Sequence, residues 1–263
     1  MELWHFMHEV YESVDERAQE LEPLDVDEFP SPESLKLEVG KWYRLHDVVC
    51  VYVDLKDSSK ASFRKTKTGM AKIYEHVGTG LTKIFRNDNF KGEYVDLKGD
   101  GGFVLYTGKY SEVRAFIAAQ TFKTYVYHHL RNVFDNIEIR FGIGISKGSL
   151  LVKRVGTRKW NYPVWAGRVV NHAALICKDV KQKFQLKTDV IGASQAVYAA
   201  LDTGELRDYL VISCGCPHGR KEHLWREATP DDSAFPKYYY IEANWCETHG
   251  EEYINAVIGL INE

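Results

Sequence analysis

Two stretches of this chain place carboxylates where metal-assisted chemistry at phosphorus would need them. The apolar, β-rich run VVCVYVDLKD breaks into polar residues at Asp54, and the hairpin sequence EYVDLKGDGGFVLY, Glu93 to Tyr106, offers Asp100 among Gly99, Gly101 and Gly102. Aspartates on adjacent strand ends can share a pair of divalent cations. Magnesium and manganese prefer hard oxygen ligands and keep several waters, so one or two carboxylates plus substrate phosphates suffice to hold them. A paired metal site polarises both the attacking and the departing oxygen of an in-line displacement. The glycines let the turn take positive φ and let backbone approach a ligand. Taken singly, each aspartate is more often a turn former or helix cap, and GDGG a plain hairpin signal. Their shared context favours nucleotide chemistry.

The elements that must position these groups fit one large domain with appendages. The chain has 263 residues, 44% of them apolar, enough for a full core. A net charge of −3 gives no global basic surface and disfavours a nucleic-acid partner. No run approaches the ~20 apolar residues of a membrane span, and the N-terminus is acidic where a signal peptide would be basic, so a cytoplasmic, membrane-free protein is expected. Five cysteines, an odd number in a long chain, argue against a disulfide framework.

Leu3, Met7, Val10, Tyr11 and Val14 recur at helical spacing, an amphipathic helix over residues 1 to about 22 whose stripe suits either the core or a dimer contact. Pro23, Pro30 and Pro32 among acidic residues read as a linker, so residues 1–44 form helix plus linker and the domain begins near Leu45. After the first strand, Asp57, Ser58 and Ser59 can cap a helix whose start attracts phosphate, with Lys56, Lys60, Arg64, Lys65 and Lys67 supplying positive charge. A solvated basic face explains most of these cations equally well. The hairpin follows, then a long amphipathic helix ending before Asp135, with His128 and His129 near its end and no catalysis assigned to them. Lys147 and Gly148 predict a turn between two strands in FGIGISKGSLLVKRVG. A further helix starts near Arg168 and places Asn171 and Leu175 one turn apart, and Ser194 caps the next. This order predicts an α+β fold with an antiparallel-rich sheet covered by helices.

In order and spacing, VYVDLKDSS, VDLKGDGGFVLY and AGRVVNHAALI resemble the class III nucleotidyl cyclases, the adenylate and guanylate cyclase family, over about residues 45 to 200. The resemblance implies a ferredoxin-like catalytic domain, 45–205, followed by an extension, 206–263, packed on it. It also implies a reaction in which the ribose 3′-hydroxyl of a nucleoside triphosphate attacks its own α-phosphorus, giving a 3′,5′-cyclic monophosphate and pyrophosphate. Asp54 and Asp100, with the Leu55 carbonyl as an extra ligand, would hold two Mg²⁺ or Mn²⁺ ions. Asn171 would steady the ribose or transition state from the opposite subunit, so the resemblance implies a homodimer with two shared sites.

Departures from the family narrow the substrate. Where purine cyclases read the base with Lys or Glu, this sequence has Asp96; their Asp or Cys before the Asn helix aligns with Val164; their transition-state Arg aligns with Leu175. Charge would then come from Lys56, Lys60, Arg64, Arg168 or Lys178. Tyr52 stands at a position that is usually Phe and offers a flat ring with a polar tip, although a core tyrosine reads as well there. With TRKWNYPVWAGRVVNHAA and the cysteine-containing tail, these features resemble the pyrimidine cyclases of bacterial Pycsar antiphage systems. That implies UTP as substrate, cyclic UMP as a messenger and a separate effector, with CTP and cyclic CMP as the alternative. Leu175 keeps a second alternative in view, a degenerate cyclase fold that only binds nucleotide. A diguanylate cyclase fits less well, because in that family's hairpin the glycines precede the acidic pair.

The tail carries Cys214 and Cys216 as CxC, and Cys246 and His249 as CxxH. On neighbouring strands these can offer three thiolates and an imidazole to a tetrahedral structural zinc; small buried thiols are the plainer account.

Overall fold

The computed structural model of the chain describes residues 3–18, 22–27, 29, 41–56, 66–134, 138–157, 160–184, 189–216 and 218–262. In chain order its main elements are helix α1 (Leu3–Ala18), strands β1 (Leu24–Val26) and β2 (Tyr43–Leu55), helix α2 (Lys67–Phe85), strands β3 (Tyr94–Leu97) and β4 (Gly101–Tyr106), and helix α3 (Ser111–Tyr125). Then come β5 (Phe141–Gly156), β6 (Asn161–Ala166), α4 (Arg168–Lys183), β7 (Val190–Ser194), α5 (Gln195–Leu201), α6 (Leu206–Leu210), β8 (Trp225–Ala228), β9 (Tyr238–Ile241) and α7 (Gly250–Asn262). The chain divides into two compact units, one of Met1–His46 with Ser149–Gly167, the other of Asp47–Gly148 with Arg168–Glu263.

In the first unit the acidic, proline-bearing stretch read as linker contains β1, which pairs in parallel with the start of β2, Leu24 against Tyr43. Asp25 secures that pairing by accepting from Arg44 and bonding His46, each at 3.2 Å. The end of β5 and β6 form a hairpin, Leu151 against Ala166 through Gly156 against Asn161. On α1, Trp4, Phe6, Val10, Tyr11 and Val14 are exposed.

The second unit holds a mixed, mostly antiparallel sheet in the order β3-β4-β2-β5-β7-β9-β8. Strand β4 runs antiparallel to both β2 and β3, and β9 to β7 and β8, while β5 and β7 are parallel. This is the α+β class that the element order predicts. Alternation on β2 sends Val49, Val51, Val53 and Leu55 into the main core with Met70, Ile73, Val77 and Leu81 of α2 and Phe116, Ile117 and Phe122 of α3. Each such side chain contributes about 1.5–3 kcal/mol by burial.

α3 is less amphipathic than its sequence suggests, with buried residues on nearly every side. It continues through a π-helical turn, Val126–Leu130, that carries His128 and His129 at the surface. Lys123 is one of its buried residues: its ammonium donates to the carbonyls of Glu242 at 2.6 Å and Ala243 at 2.9 Å, and Gln120 donates to Ala243 at 2.7 Å. These bonds tie the segment after β9 to α3. Burial pulls the Lys123 pKa down to about 7.

Two local expectations are corrected, and a third falls outside the described residues. Lys147 and Gly148 lie inside one continuous strand, β5; Lys147 is held there by Glu112 at 2.7 Å and Asp47 at 3.5 Å, so its charge is satisfied without a turn. Helix α2 is capped by Thr66, whose hydroxyl accepts from the Gly69 N–H at 3.1 Å, and Asp57, Ser58 and Ser59 lie outside the described residues. Ser194 occupies the cap position of α5 without making a side-chain cap bond, its hydroxyl being buried.

Candidate active site

The hairpin register brings the two aspartates together. Asp54, at the end of β2, pairs with Gly101, and the Leu55 N–H donates to the Asp100 carbonyl at 3.1 Å. Glycine is needed there: a Cβ on Gly101 would run into the Val53 carbonyl, so the strands close only without one. Gly99 takes a φ of +72° in the turn between Lys98 and Asp100.

Register also builds a row beside them. Asp96 on β3 and Tyr52 on β2 each pair with Phe103 of β4, so the three side chains share the sheet face that Asp54 also points to. The rings of Tyr52 and Phe103 stack with centroids 6.4 Å apart, and Tyr94 lies 6.0 Å from Phe103. Tyr52 is half-buried, and desolvation together with the charges around it, Asp100 and Asp96 included, raises its pKa. Asp96 is paired at 3.1 Å with Lys98.

Helix α4 covers the next part of this face. Gly142 and Gly144 of β5 let its backbone come close, since a Cβ on either would collide with the carbonyl of Cys177 or Ala173. Cys177 donates to the Gly142 carbonyl at 3.1 Å. One turn further on, Lys181 reaches the Asp54 carboxylate. Burial lowers the Lys181 pKa even though the ammonium is paired.

Sequence reasoning did not single out Lys181. The alternating glycines of FGIGIS, which mark a strand that another backbone approaches, were the available signal. Among the cations it did name, Lys60 and Arg64 lie outside the described residues. Arg168 and Lys178 are exposed on the outward side of α4, and Lys56 follows β2, its N–H bonded to the Arg140 carbonyl at 2.7 Å.

Asn171 and Leu175 lie on that same outward side of α4, Asn171 exposed and Leu175 partly buried. Ten residues separate Asn171 from Lys181, about 15 Å along the axis at ~1.5 Å per residue. Within one chain Asn171 is therefore well away from the carboxylate that Lys181 touches. Val164 is exposed on β6 in the other unit.

Cys214, Cys216, Cys246 and His249 converge, but from loops rather than from neighbouring strands. A cavity of about 450 Å³, lined by Phe116, Gln120, Tyr209 and Trp245 among others, adjoins this cluster and not the aspartates.

The carboxylate pair fits divalent cations. Its donors are hard oxygens; a cationic ammonium sits on Asp54, and among the described residues the Asp100 carboxylate has no hydrogen-bonding partner.

No family model matches the chain. Its fold is that of the class III nucleotide cyclases: the adenylyl cyclase CyaB from P. aeruginosa superimposes with a TM-score of 0.59 at 14% identity, over 79% of this chain and 98% of that one. Two curated relatives are more informative. A protein of Micromonospora echinofusca named uridylate cyclase is 32% identical over 86% of this chain and 73% of its own length. One of Propioniciclava tarda with the same name is 30% identical over 88% of this chain and 73% of its length. The chain belongs to the uridylate cyclase family of nucleotide cyclases. Among the described residues no helix is long and apolar enough to cross a membrane.

Proposed function

We propose that the protein converts UTP to 3′,5′-cyclic UMP and pyrophosphate. The observation that carries this is the Asp54 and Asp100 pair at one sheet end, continuous with the row of Tyr52, Phe103 and Asp96. Asp54 and Asp100, with the Leu55 carbonyl, would hold two Mg²⁺ or Mn²⁺ ions. When bound, such ions acidify the ribose hydroxyl and neutralise the triphosphate.

The chain's own groups do the rest. Tyr52, backed by Phe103, offers a ring for the flat base to lie against. Asp96 is an acceptor-only carboxylate on the same face, and uracil offers it a ring N–H, whereas a base edge that presents only acceptors would be repelled. Lys181, which sits on Asp54, would be free to meet the triphosphate if that carboxylate held a cation instead. With Leu175 at the position of the usual arginine, Lys181 supplies the positive charge, together with Lys56 of the same chain and Arg168 of a second copy. In the balanced step the 3′-oxygen forms a bond to the α-phosphorus, the bond to the pyrophosphate oxygen breaks, and the hydroxyl proton leaves to solvent.

Asn171 faces outward and about 15 Å along the helix from Lys181, so it would serve the site of a second copy. A twofold dimer then gives two equivalent sites. The exposed apolar side chains of α1 are suited to the same association. Cyclic UMP would act as a messenger of antiviral defence on a separate effector. The names of the curated relatives support UTP over CTP.

Incubating the protein with each of the four ribonucleoside triphosphates and Mn²⁺, and resolving products by chromatography, tests the reading. Cyclic UMP as the main product is expected. Cyclic CMP would reassign the base, a cyclic dinucleotide would reassign the reaction, and no product would make the fold a binding module.

A further inference from the structure

We infer that Cys214, Cys216, Cys246 and His249 bind one structural zinc ion, away from the catalytic face. The four ligand atoms all lie within 4.8 Å of one another. His249 Nδ1 is 3.4 Å from Cys216 Sγ and 3.8 Å from Cys246 Sγ. A tetrahedral ion with Zn–S of ~2.3 Å and Zn–N of ~2.0–2.1 Å requires N to S edges of ~3.5 Å and S to S edges of ~3.8 Å. The side chains are therefore already spaced for one ion. A disulfide would need ~2.05 Å between sulfurs, and all three cysteines are free thiols.

Backbone features support the same arrangement. Gly215 takes a φ of +82°, and a Cβ there would meet the Gly219 carbonyl carbon at 2.9 Å, so the CxC turn that aims both thiols one way requires glycine. Within it the Cys216 N–H donates to Cys214 Sγ at 3.3 Å, which fixes the direction of that sulfur. On the other side Cys246 and His249 form a single turn that opens α7, with the Gly250 N–H on the Cys246 carbonyl at 2.7 Å and the Tyr253 N–H on that of His249 at 2.9 Å. His249 also stacks on Tyr253, ring centroids 6.2 Å apart, which orients the imidazole.

Three thiolates and an imidazole are soft and borderline donors that select zinc over magnesium or manganese. Four protein ligands leave no open position for substrate, so the ion braces the fold and takes no part in catalysis. What it braces is specific. Cys214 and Cys216 precede β8, whereas Cys246 and His249 follow β9, so one ion clips together both ends of the β8 and β9 hairpin. The Ala243 carbonyl, just before Cys246, is the one that Gln120 and Lys123 hold against α3. Zinc and α3 together would fix the last segment of the chain.

Elemental analysis of the full-length protein, purified without chelator or added metal, is expected to find one zinc per chain. Replacement by Co²⁺ is expected to give the thiolate-to-cobalt absorption and d–d bands of a tetrahedral site. Cys246→Ser and His249→Ala are expected to lose the metal at least tenfold, and a strong chelator to lower the Tm of the wild type but not of these variants. Because metal content and cobalt spectra are read on the wild type, a variant that fails to fold does not blunt the test. Zinc well below one per chain with all five thiols titrating in the denatured chain, or a disulfide within the cluster, would overturn the assignment. No readout involves cyclisation, so this outcome is independent of the proposed reaction.

Discussion

On β2, Val49, Val51, Val53 and Leu55 are buried, whereas Tyr52 and Asp54, interleaved with them, keep part of their surface in water. The two sets differ in what they can tolerate. Side chains on the closed face are packed against α2 and α3, so a charge there is costly and a lost methyl group leaves a cavity. Those on the open face keep a carboxylate and the tip of a ring without full desolvation. One strand thus separates stability from chemistry by a one-residue alternation, and substitutions on its two sides should fail in different ways.

The largest effect is expected on the open face. Asp54→Asn and Asp100→Asn should each lower cyclisation at least ~10³-fold, about 4 kcal/mol in the barrier, while unfolding free energies stay within about 0.5 kcal/mol of wild type. Turnover assays beside thermal melts check this; aspartates that proved essential for folding would erase the contrast. Val51→Ala on the closed face should do the reverse, costing about 2–3 kcal/mol in urea unfolding with turnover per folded molecule within about twofold.

Tyr52→Ala sharpens the boundary, because Tyr52 is half-buried but faces the aspartates. The expected change is a severalfold rise in KM or a shift in base preference, with at most about 1 kcal/mol of lost stability. A variant that melts early yet keeps its KM and base preference would place Tyr52 with the core.

The last effect, read against pH, concerns the buried cation on the closed side, Lys123. Its pKa is about 7 in the folded protein and near ~10.4 when unfolded, so between those values the unfolded chain binds the extra proton and stability rises with pH. Relative to Lys123→Met, the wild type should gain about 1 kcal/mol per pH unit from pH 7 to 9, measured by denaturant unfolding. A flat difference would mean that the ammonium stays charged in the fold.

The approach of Asp54 to Asp100 was legible in the sequence, because a carboxylate ending an apolar run and another beside hairpin glycines leave few ways to pair the strands. The CxC and CxxH pairs were legible for a similar reason, since metal-ligand spacing is local. Lys181 was not. Whether a helical lysine reaches a given carboxylate depends on how the helix crosses the sheet, and that crossing is set by Gly142 and Gly144. Nor was the continuity of β5: Lys147 and Gly148 carry turn chemistry locally, and only Glu112 and Asp47, distant in sequence, make an extended lysine favourable there. Strand β1 was hidden for the same reason, since the Arg44 and His46 partners of Asp25 lie beyond the prolines.

The proposed site is assembled from Asp54 and Asp100 of one chain and Asn171 of another, and complementation reads this directly. Asp54→Ala and Asn171→Ala should each be inactive alone, yet chains coexpressed in equal amounts should regain about a quarter of wild-type UTP turnover, because half of the dimers are mixed and each mixed dimer keeps one intact site. A mixture as inactive as its parents, or an Asn171→Ala enzyme as active as wild type, would contradict it.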